Sequence, residues 1–294
     1  MELILRIVGI ITPVLIVSAI GFFYGRRCRP DMTWINRLST DLLFPLLIFT
    51  AMASKDFRIV DYLPLIFAGL LVVLGSGVVA WGASRLFGYN ARAFVPSMMF
   101  TNTANMGLPL TLLAFGQHML PAAVALYMIF SLVHFTIGIR ICDPKADIAG
   151  ILKGPMLLAM IAGVAMSLLG LSLPDWLAGS TKLLGDAAIP LGLFSLGVGF
   201  AGFRVERWSI GIVGAALCPL SGLAVAWPLT KLLSMSPEVQ GVLLLYAALP
   251  PAVMNYILAE RYNQEPALVA AIVVVANIAS IIFVPFALYL ALPH

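Results

Sequence analysis

Charged side chains are scarce in this chain. Lysine, arginine, aspartate and glutamate together make up 10% of its 294 residues, and the mean hydropathy is +1.04. A soluble domain needs about a quarter of its residues charged to cover its surface. The composition therefore excludes an ordinary soluble protein, and lipid must surround much of the chain. It predicts an all-α membrane protein.

The chain also lacks the sequence motifs of catalysis and metal binding. It has no H-E-x-x-H, no G-x-S-x-G and no aspartate-rich diphosphate motif, so the usual intramembrane enzymes lack their chemistry. Its three cysteines, Cys28, Cys142 and Cys218, have no spacing typical of a metal site or a disulfide framework. We therefore expect no enzyme, no metal and no cofactor. The net charge of +4 is spread over short connections, which argues against nucleic acid as a partner.

Apolar runs of membrane-spanning length are abundant. Windows of about 20 apolar residues between polar breaks predict ten transmembrane helices. The predicted spans lie near residues 3–25, 33–54, 62–87, 94–116, 119–140, 151–171, 181–202, 208–233, 238–259 and 266–292. We interpret the first run as a retained span, because it is too long for a signal peptide and no cleavage site follows it.

Lysine and arginine residues are unevenly divided between the two sets of connections. Twelve lie in one set, and five lie in the other set together with the N-terminus. Since cytoplasmic connections carry the excess of positive charge, the first set is predicted to be cytoplasmic. With ten spans, both termini then face outside. We expect a multi-pass protein of the plasma membrane, which in a bacterium is the inner membrane.

One pattern recurs after half the chain. The motif D-x-x-x-P-L-x-x-F begins at Asp41 in the second span and again at Asp186 in the seventh, 145 residues later. A repeat of five spans has an odd count, so the second copy must be inverted in the membrane, as in many secondary transporters. We predict two inverted five-helix repeats, residues 1–141 and 150–294.

Polar and helix-breaking residues interrupt the fourth and ninth spans. The segments are TNTANMGLPL, residues 101–110, and YAALPPAVMNY, residues 246–256; at the offset of 145, Asn105 corresponds to Pro250. A break in hydrocarbon exposes backbone groups that need partners, and an asparagine supplies both donors and an acceptor. Asn105 is predicted to cap the second half-helix, with Pro109 in its first turn. Pro251 would open the other half-helix, and Gly107 would let another backbone come close.

Paired breaks in corresponding spans are the best sequence indication of a transporter's binding site. Two half-helix N-termini that face each other can hold an anion without a buried lysine or arginine. The alternative is that the breaks are packing kinks whose freed groups are satisfied by neighbouring helices. The candidate substrate-binding residues are Asn102, Thr103, Asn105, Gly107, Pro109, Pro250, Pro251, Asn255 and Tyr256.

Four titratable residues are candidates for ion or proton coupling: Asp41, Asp186, Glu260 and His134. Each aspartate lies four residues before a proline, whose missing N–H leaves the aspartate's own carbonyl free, so carboxylate and carbonyl could hold a proton or cation. The alternative is a buried, hydrogen-bonded acid that organises the kink. Glu260 fits a cytoplasmic gate or an interfacial pair with Arg261, and His134 fits a core histidine. Small-residue helix packing explains Gly192, Gly197, Gly199 and Gly202.

At these residues the chain resembles the auxin efflux carrier family of membrane transporters. The matching segments are NTANMGLPL and, more distinctively, residues 248–280, which begin ALPPAVMNYILAERYNQEP. The resemblance is to compact prokaryotic members of this family, which is related to the bile acid:sodium symporters. It implies a scaffold of helices 1, 2, 6 and 7, a transport domain of helices 3–5 and 8–10, and substrate at the broken crossover helices 4 and 9. It also implies a homodimer through the scaffold.

The predicted function is secondary transport of small organic anions, carboxylates such as malate or malonate, by elevator-like alternating access. The coupling ion would be H+ or Na+; many relatives carry a Ser-Thr pair where this chain has Ala276-Asn277, which leaves the coupling open. One alternative is sodium-coupled symport of a larger amphipathic anion of the bile-acid type. A non-transport intramembrane enzyme is less favoured, since its motifs are missing, and a channel lacks a filter motif.

Overall fold

The structure, a computed structural model, describes residues 1–54, 57–146, 154–203 and 205–292, and nearly all of these are helical. The α-helices are α1 (Glu2–Cys28), α2 (Thr33–Leu38), α3 (Phe44–Met52), α4 (Leu63–Phe87), α5 (Ala91–Met99), α6 (Leu108–Phe115), α7 (Leu120–Val133), α8 (Ile139–Cys142), α9 (Pro155–Leu169), α10 (Asp175–Asp186), α11 (Ala188–Gly202), α12 (Trp208–Leu232), α13 (Pro237–Ala247), α14 (Met254–Arg261) and α15 (Pro266–Ala291). Wider π-helical turns occupy Ser39–Leu43, Thr103–Gly107 and His134–Gly138, and 3-10 turns occupy Ile59–Tyr62 and Gln117–Met119.

Seven helical segments within the described ranges are long and apolar enough to cross a membrane. They lie at the first, second, third, fifth, seventh, eighth and tenth predicted spans, and shorter apolar helices, Thr103–Phe115 and Pro155–Leu169, lie at the fourth and sixth. The chain is therefore an all-helical, multi-pass membrane protein. The count of ten spans remains a prediction, because the fourth, sixth and ninth segments do not reach spanning length as single helices.

Several residues on which the sequence predictions depend lie outside the described residues. They are Lys55, Lys153 and Arg204, which entered the count of positive charges, residues 151–153 at the start of the sixth predicted span, and residue 150, where the second repeat was placed.

The internal similarity extends beyond the motif that first indicates it. Arg37 forms an ion pair with Asp41 at 3.4 Å, and Lys182 forms one with Asp186 at 2.6 Å. The second ion pair therefore lies 145 residues after the first. Ser76 in α4 and Ser221 in α12, also 145 residues apart, each donate their hydroxyl to the carbonyl three residues earlier. The two halves thus share side-chain contacts as well as residue types.

The first and seventh spans pack backbone to backbone. A Cβ built on Gly197 of α11 would overlap the carbonyl oxygen of Ser18, and one on Gly21 of α1 would overlap that of Phe194. The small-residue packing predicted for Gly197 is therefore confirmed. The same prediction is wrong for Gly199 and Gly202, which have nothing within 4 Å, because they lie on other faces of the helix.

Candidate substrate site at the two helix breaks

The two breaks lie against each other. Thr101 and Pro251 form an isolated antiparallel bridge. The N–H of Asn102 donates to the carbonyl of Pro250 at 2.8 Å, and the N–H of Ala252 donates to that of Phe100 at 3.0 Å. Each break therefore supplies partners for backbone groups that the other has freed, which is what apolar surroundings require. We call the two segments 100–103 and 249–255 the crossing.

The predicted helix caps are placed differently in the structure. The half-helix after the first break starts with the π-helical turn Thr103–Gly107, so Asn105 lies inside its first turn and not at its cap. Asn102 holds the cap position, without a side-chain capping bond. Pro109 is in the first turn of α6 but in the second turn of the half-helix that starts at Thr103. Pro251 pairs in the bridge, and α14 begins only at Met254. The predictions that Asn105 is a helix cap and that Pro251 starts a half-helix are wrong, because the bridge keeps the backbone extended in both breaks.

Asn255 ties the two breaks together. Its Nδ2 donates to the carbonyl of Phe100 at 2.8 Å, the same carbonyl that accepts from the Ala252 N–H. The side chain is 3% exposed. Since the amide nitrogen is committed to this carbonyl, the orientation of the group is set, and its oxygen is the atom left to the side chain of His134.

Asn277 lies against the crossing, and the site prediction missed it. It lies in the middle of α15, buried, and its Nδ2 donates to the carbonyls of Pro251 at 3.0 Å and Val273 at 2.8 Å. Its oxygen has no partner. The sequence held a usable signal, because an asparagine inside an apolar span is expensive unless it serves a function.

His134 lies beside the crossing. Its ring is buried and stacks on Phe100, the first residue of the break, with centroids 4.1 Å apart and planes 6° apart. Phe135 stacks at 5.5 Å, and the side chain of Asn255 lies within hydrogen-bonding reach of the ring. The ring therefore packs as a core histidine does, with a polar neighbour in the second break.

Gly107 gives close access to a side chain and not to a backbone, contrary to the prediction. A Cβ at this position would lie 2.7 Å from Cζ of Tyr246 and 3.0 Å from its hydroxyl oxygen. Tyr246 is fully buried, and its hydroxyl lies within hydrogen-bonding reach of the Thr111 side chain. The glycine thus lets a tyrosine hydroxyl reach the start of the half-helix.

Buried polar atoms without a partner concentrate at this place. Among the residues that the structure describes, eight buried side-chain nitrogen or oxygen atoms lack a hydrogen bond, and five of them belong to the crossing and its neighbours. The five are Asn102 Nδ2, His134 Nε2, Tyr246 Oη, Asn255 Oδ1 and Asn277 Oδ1. Two pairs nevertheless lie within side-chain hydrogen-bonding reach, His134 with Asn255 and Tyr246 with Thr111. Asn102 Nδ2 and Asn277 Oδ1 then remain as the buried polar atoms of this group without a protein partner among the described residues, and such atoms mark a place for water or a ligand.

Tyr256 and Glu260 are partners of each other. The Tyr256 hydroxyl donates to Oε1 of Glu260 at 3.1 Å, and its ring packs edge-on against Phe203 at 4.7 Å. Within the described part of the chain Glu260 forms no ion pair with Arg261, whose guanidinium lies 5.6 Å from the ring of Tyr262. The predicted Glu260–Arg261 pair is therefore wrong.

Asp41 and Asp186 are not buried acids. Their side chains are 52% and 46% exposed, and each pairs with the basic residue one turn earlier, Arg37 or Lys182. The alternative of a buried, hydrogen-bonded acid is wrong, since each carboxylate lies on the outer face of its helix. A π-helical turn surrounds Asp41, four residues before its proline.

Comparisons with known proteins agree with this architecture. A family profile described as "Membrane transport protein" matches residues 144–288. An uncharacterized transporter of Methanocaldococcus jannaschii is 23% identical, over 92% of this chain and 94% of the relative. An uncharacterized transporter of Methanothermobacter thermautotrophicus is 26% identical with the same coverage of both chains.

The fold and these matches together define a membrane transport protein. They support its assignment to the auxin efflux carrier family, as the sequence motifs predicted. The names of the relatives indicate a transporter and not an enzyme.

Proposed function

We propose that this transporter is a secondary carrier of small organic anions, carboxylates such as malate or malonate. The observation that carries the proposal is the crossing itself. Two interrupted helices pair their backbones with each other, yet two buried polar side-chain atoms beside them, Asn102 Nδ2 and Asn277 Oδ1, have no protein partner among the described residues. A kink formed only for packing would have its polar atoms paired by neighbouring helices. Unpaired atoms at the paired breaks favour a ligand.

The donors at the crossing suit a carboxylate. The half-helix that starts at Thr103 leaves the N–H groups of Ala104 and Asn105 without a backbone acceptor among the described residues, and a helix start carries a partial positive charge of roughly half a unit. Asn102 Nδ2 is a further free donor in the same part of the chain. Such a site attracts an anion by dipoles alone, which suits a carrier that must also release its substrate.

The free acceptors at the crossing suit a coupled cation or a substrate donor. Asn255 and Asn277 have committed their amide nitrogens to backbone carbonyls and present oxygens. An amide oxygen can accept from a substrate hydroxyl or from a protonated carboxyl, or it can contact a bound cation. These oxygens favour coupling to H+ or Na+ near His134, whose ring lies within hydrogen-bonding reach of Asn255.

Movement in this proposal follows the division into scaffold and transport domain. The backbone contact of α1 with α11 at Gly21 and Gly197 supports a rigid scaffold, because sliding there would drive atoms into overlap. The crossing would move against this scaffold in an elevator-like way and expose the site to each side in turn. We include in the proposal a homodimer formed through the scaffold.

Counterflow of labelled carboxylate in proteoliposomes tests the function. Asn102→Ala and Asn105→Ala should each raise the half-saturating concentration about threefold or more, since each removes a hydrogen-bonding group at the site. Lys145→Ala is the control, because Lys145 is exposed and far along the chain in the central connection. Unchanged affinity in both asparagine variants, or no saturable carboxylate exchange at all, would refute the proposal.

A further inference from the structure

The side chain of Asn105 touches the seventh span at a glycine. A Cβ built on Gly192 of α11 would lie 2.8 Å from Oδ1 of Asn105 and 3.2 Å from Cζ of Phe44. Real Cβ atoms essentially never approach another atom to under 3.0 Å. Any other residue at position 192 would therefore push the amide of Asn105 away.

This contact brings together the features that the sequence singled out separately. Phe44 directly precedes Pro45, and Gly192 follows Pro190 by two residues, so both copies of the repeated motif meet the first break here. Asn105 is partly exposed, unlike Asn102 and Asn255. Its amide therefore lies between the crossing and the wall formed by Phe44 and Gly192.

The glycines of α11 serve different purposes. Gly197 lies against backbone of α1, a contact between two helices of the predicted scaffold. Gly199 has nothing within 4 Å. Gly192, by contrast, meets the amide of Asn105, whose neighbouring N–H groups form the predicted anion site. Its role is therefore tied to one polar group and not to helix packing.

We propose that Gly192 positions the Asn105 amide for substrate binding and is thus a specificity-determining residue of the scaffold wall. The inference rests on the proposed carrier function. A hydrogen bond needs its heavy atoms within about 0.3 Å of the best separation and weakens steeply off line. A methyl group at position 192 would displace the amide beyond that tolerance, because it would lie 2.8 Å from Oδ1 of Asn105.

A double-mutant cycle tests this positioning. Half-saturating carboxylate concentrations are measured by counterflow for the wild type, Gly192→Ala, Asn105→Ala and the double variant. Gly192→Ala should raise the value about fivefold or more, as expected when one or two hydrogen bonds are lost. With Asn105 already Ala, adding Gly192→Ala should change it less than about twofold, because no amide remains to be displaced. Gly199→Ala on the same helix is the matched control and should behave as wild type.

The outcomes separate this inference from the function on which it rests. Normal affinity in Asn105→Ala would refute the proposed site itself. Reduced affinity in Asn105→Ala together with additive losses in the double variant would refute only the role of Gly192. If Gly192→Ala is unstable in detergent, the melting temperature of the double variant decides. It should return to the wild-type value, since the Asn105 side chain that clashes with the new methyl group is absent. A melting temperature as low as that of Gly192→Ala would overturn the inference.

Discussion

Thr101 and Pro251 form an antiparallel bridge, and an asparagine follows each of them by four residues. The bridge relates the breaks by 150 residues, whereas the paired aspartates and serines of the flanking spans are related by 145. Asn105 and Asn255 therefore occupy the same position relative to the bridge, four residues after its paired residue. The two amides nonetheless do different work, because Asn255 donates to the Phe100 carbonyl while Asn105 faces Gly192.

Cys28 reports the orientation of the protein. It is exposed at the end of α1 beside Arg26, Arg27 and Arg29, whereas Cys142 and Cys218 are buried. If this connection is cytoplasmic, an impermeant thiol reagent should leave intact cells unlabelled and should label Cys28 after permeabilisation. Cys28→Ser should abolish the labelling, since the buried thiols are protected. Labelling of intact cells that disappears in Cys28→Ser would reverse the predicted topology.

Asn277 should stabilise the second break. Asn277→Ala would leave the Pro251 carbonyl without its donor, and an unpaired buried carbonyl costs about 1–3 kcal/mol. The melting temperature in detergent should fall accordingly. Ser280→Ala is the matched control, because the Ser280 hydroxyl donates to the Asn277 carbonyl, which keeps its helical bond. Equal melting temperatures for the two variants would show that the hydrogen bond from Asn277 to the Pro251 carbonyl does not stabilise the protein.

Gly197 and Gly199 lie on one helix and should respond oppositely to the same substitution. Gly197→Ala drives a methyl into the Ser18 carbonyl, so we expect a loss of about 1–3 kcal/mol or failure to fold. Gly199→Ala meets open space and should be neutral or stabilising by up to about 1 kcal/mol, as alanine favours helix. Thermal unfolding of both variants decides, and a destabilised Gly199→Ala would show that another surface covers that face.

Asp41 and Asp186 should not carry the coupled proton. Each carboxylate already pairs with a basic side chain one turn earlier and is about half exposed. Asp41→Asn and Asp186→Asn should therefore keep the pH profile of carboxylate flux in proteoliposomes. The double variant Asp41→Asn/Asp186→Asn serves as the stricter form of the test. Loss of pH dependence in any of the three would assign proton coupling to these acids.

The breaks could be predicted from sequence because the residues that interrupt a helix do so through their own backbone and side-chain chemistry. Asparagine, proline and glycine in the middle of an apolar run mark an interrupted helix wherever the chain folds, and TNTANMGLPL and ALPPAVMNY both proved to be interrupted. The cap positions could not be predicted in the same way. They depend on the bridge between Thr101 and Pro251, a contact across 150 residues that no local pattern encodes.

The companions of the breaks were harder to recognise for the same reason. The sequence shows Asn277, His134 and Gly192 as single polar or small residues within apolar spans, and their partners become visible only in the structure. The aspartates show the opposite error. Their position four residues before a proline suggested an ion site or a buried acid, but the basic residues four positions earlier, at the same offset, were the signal for exposed ion pairs.

The bridge at Thr101 and Pro251 has a consequence for how the protein is made. Ribosomes add roughly 5–20 residues per second, so the first break waits on the order of ten seconds or more before the second is synthesised. During that time the Phe100 carbonyl and the Asn102 N–H lack the partners that they have in the finished structure. A gene split in the central connection should therefore yield a stable first half only when the second half is inserted into the same membrane.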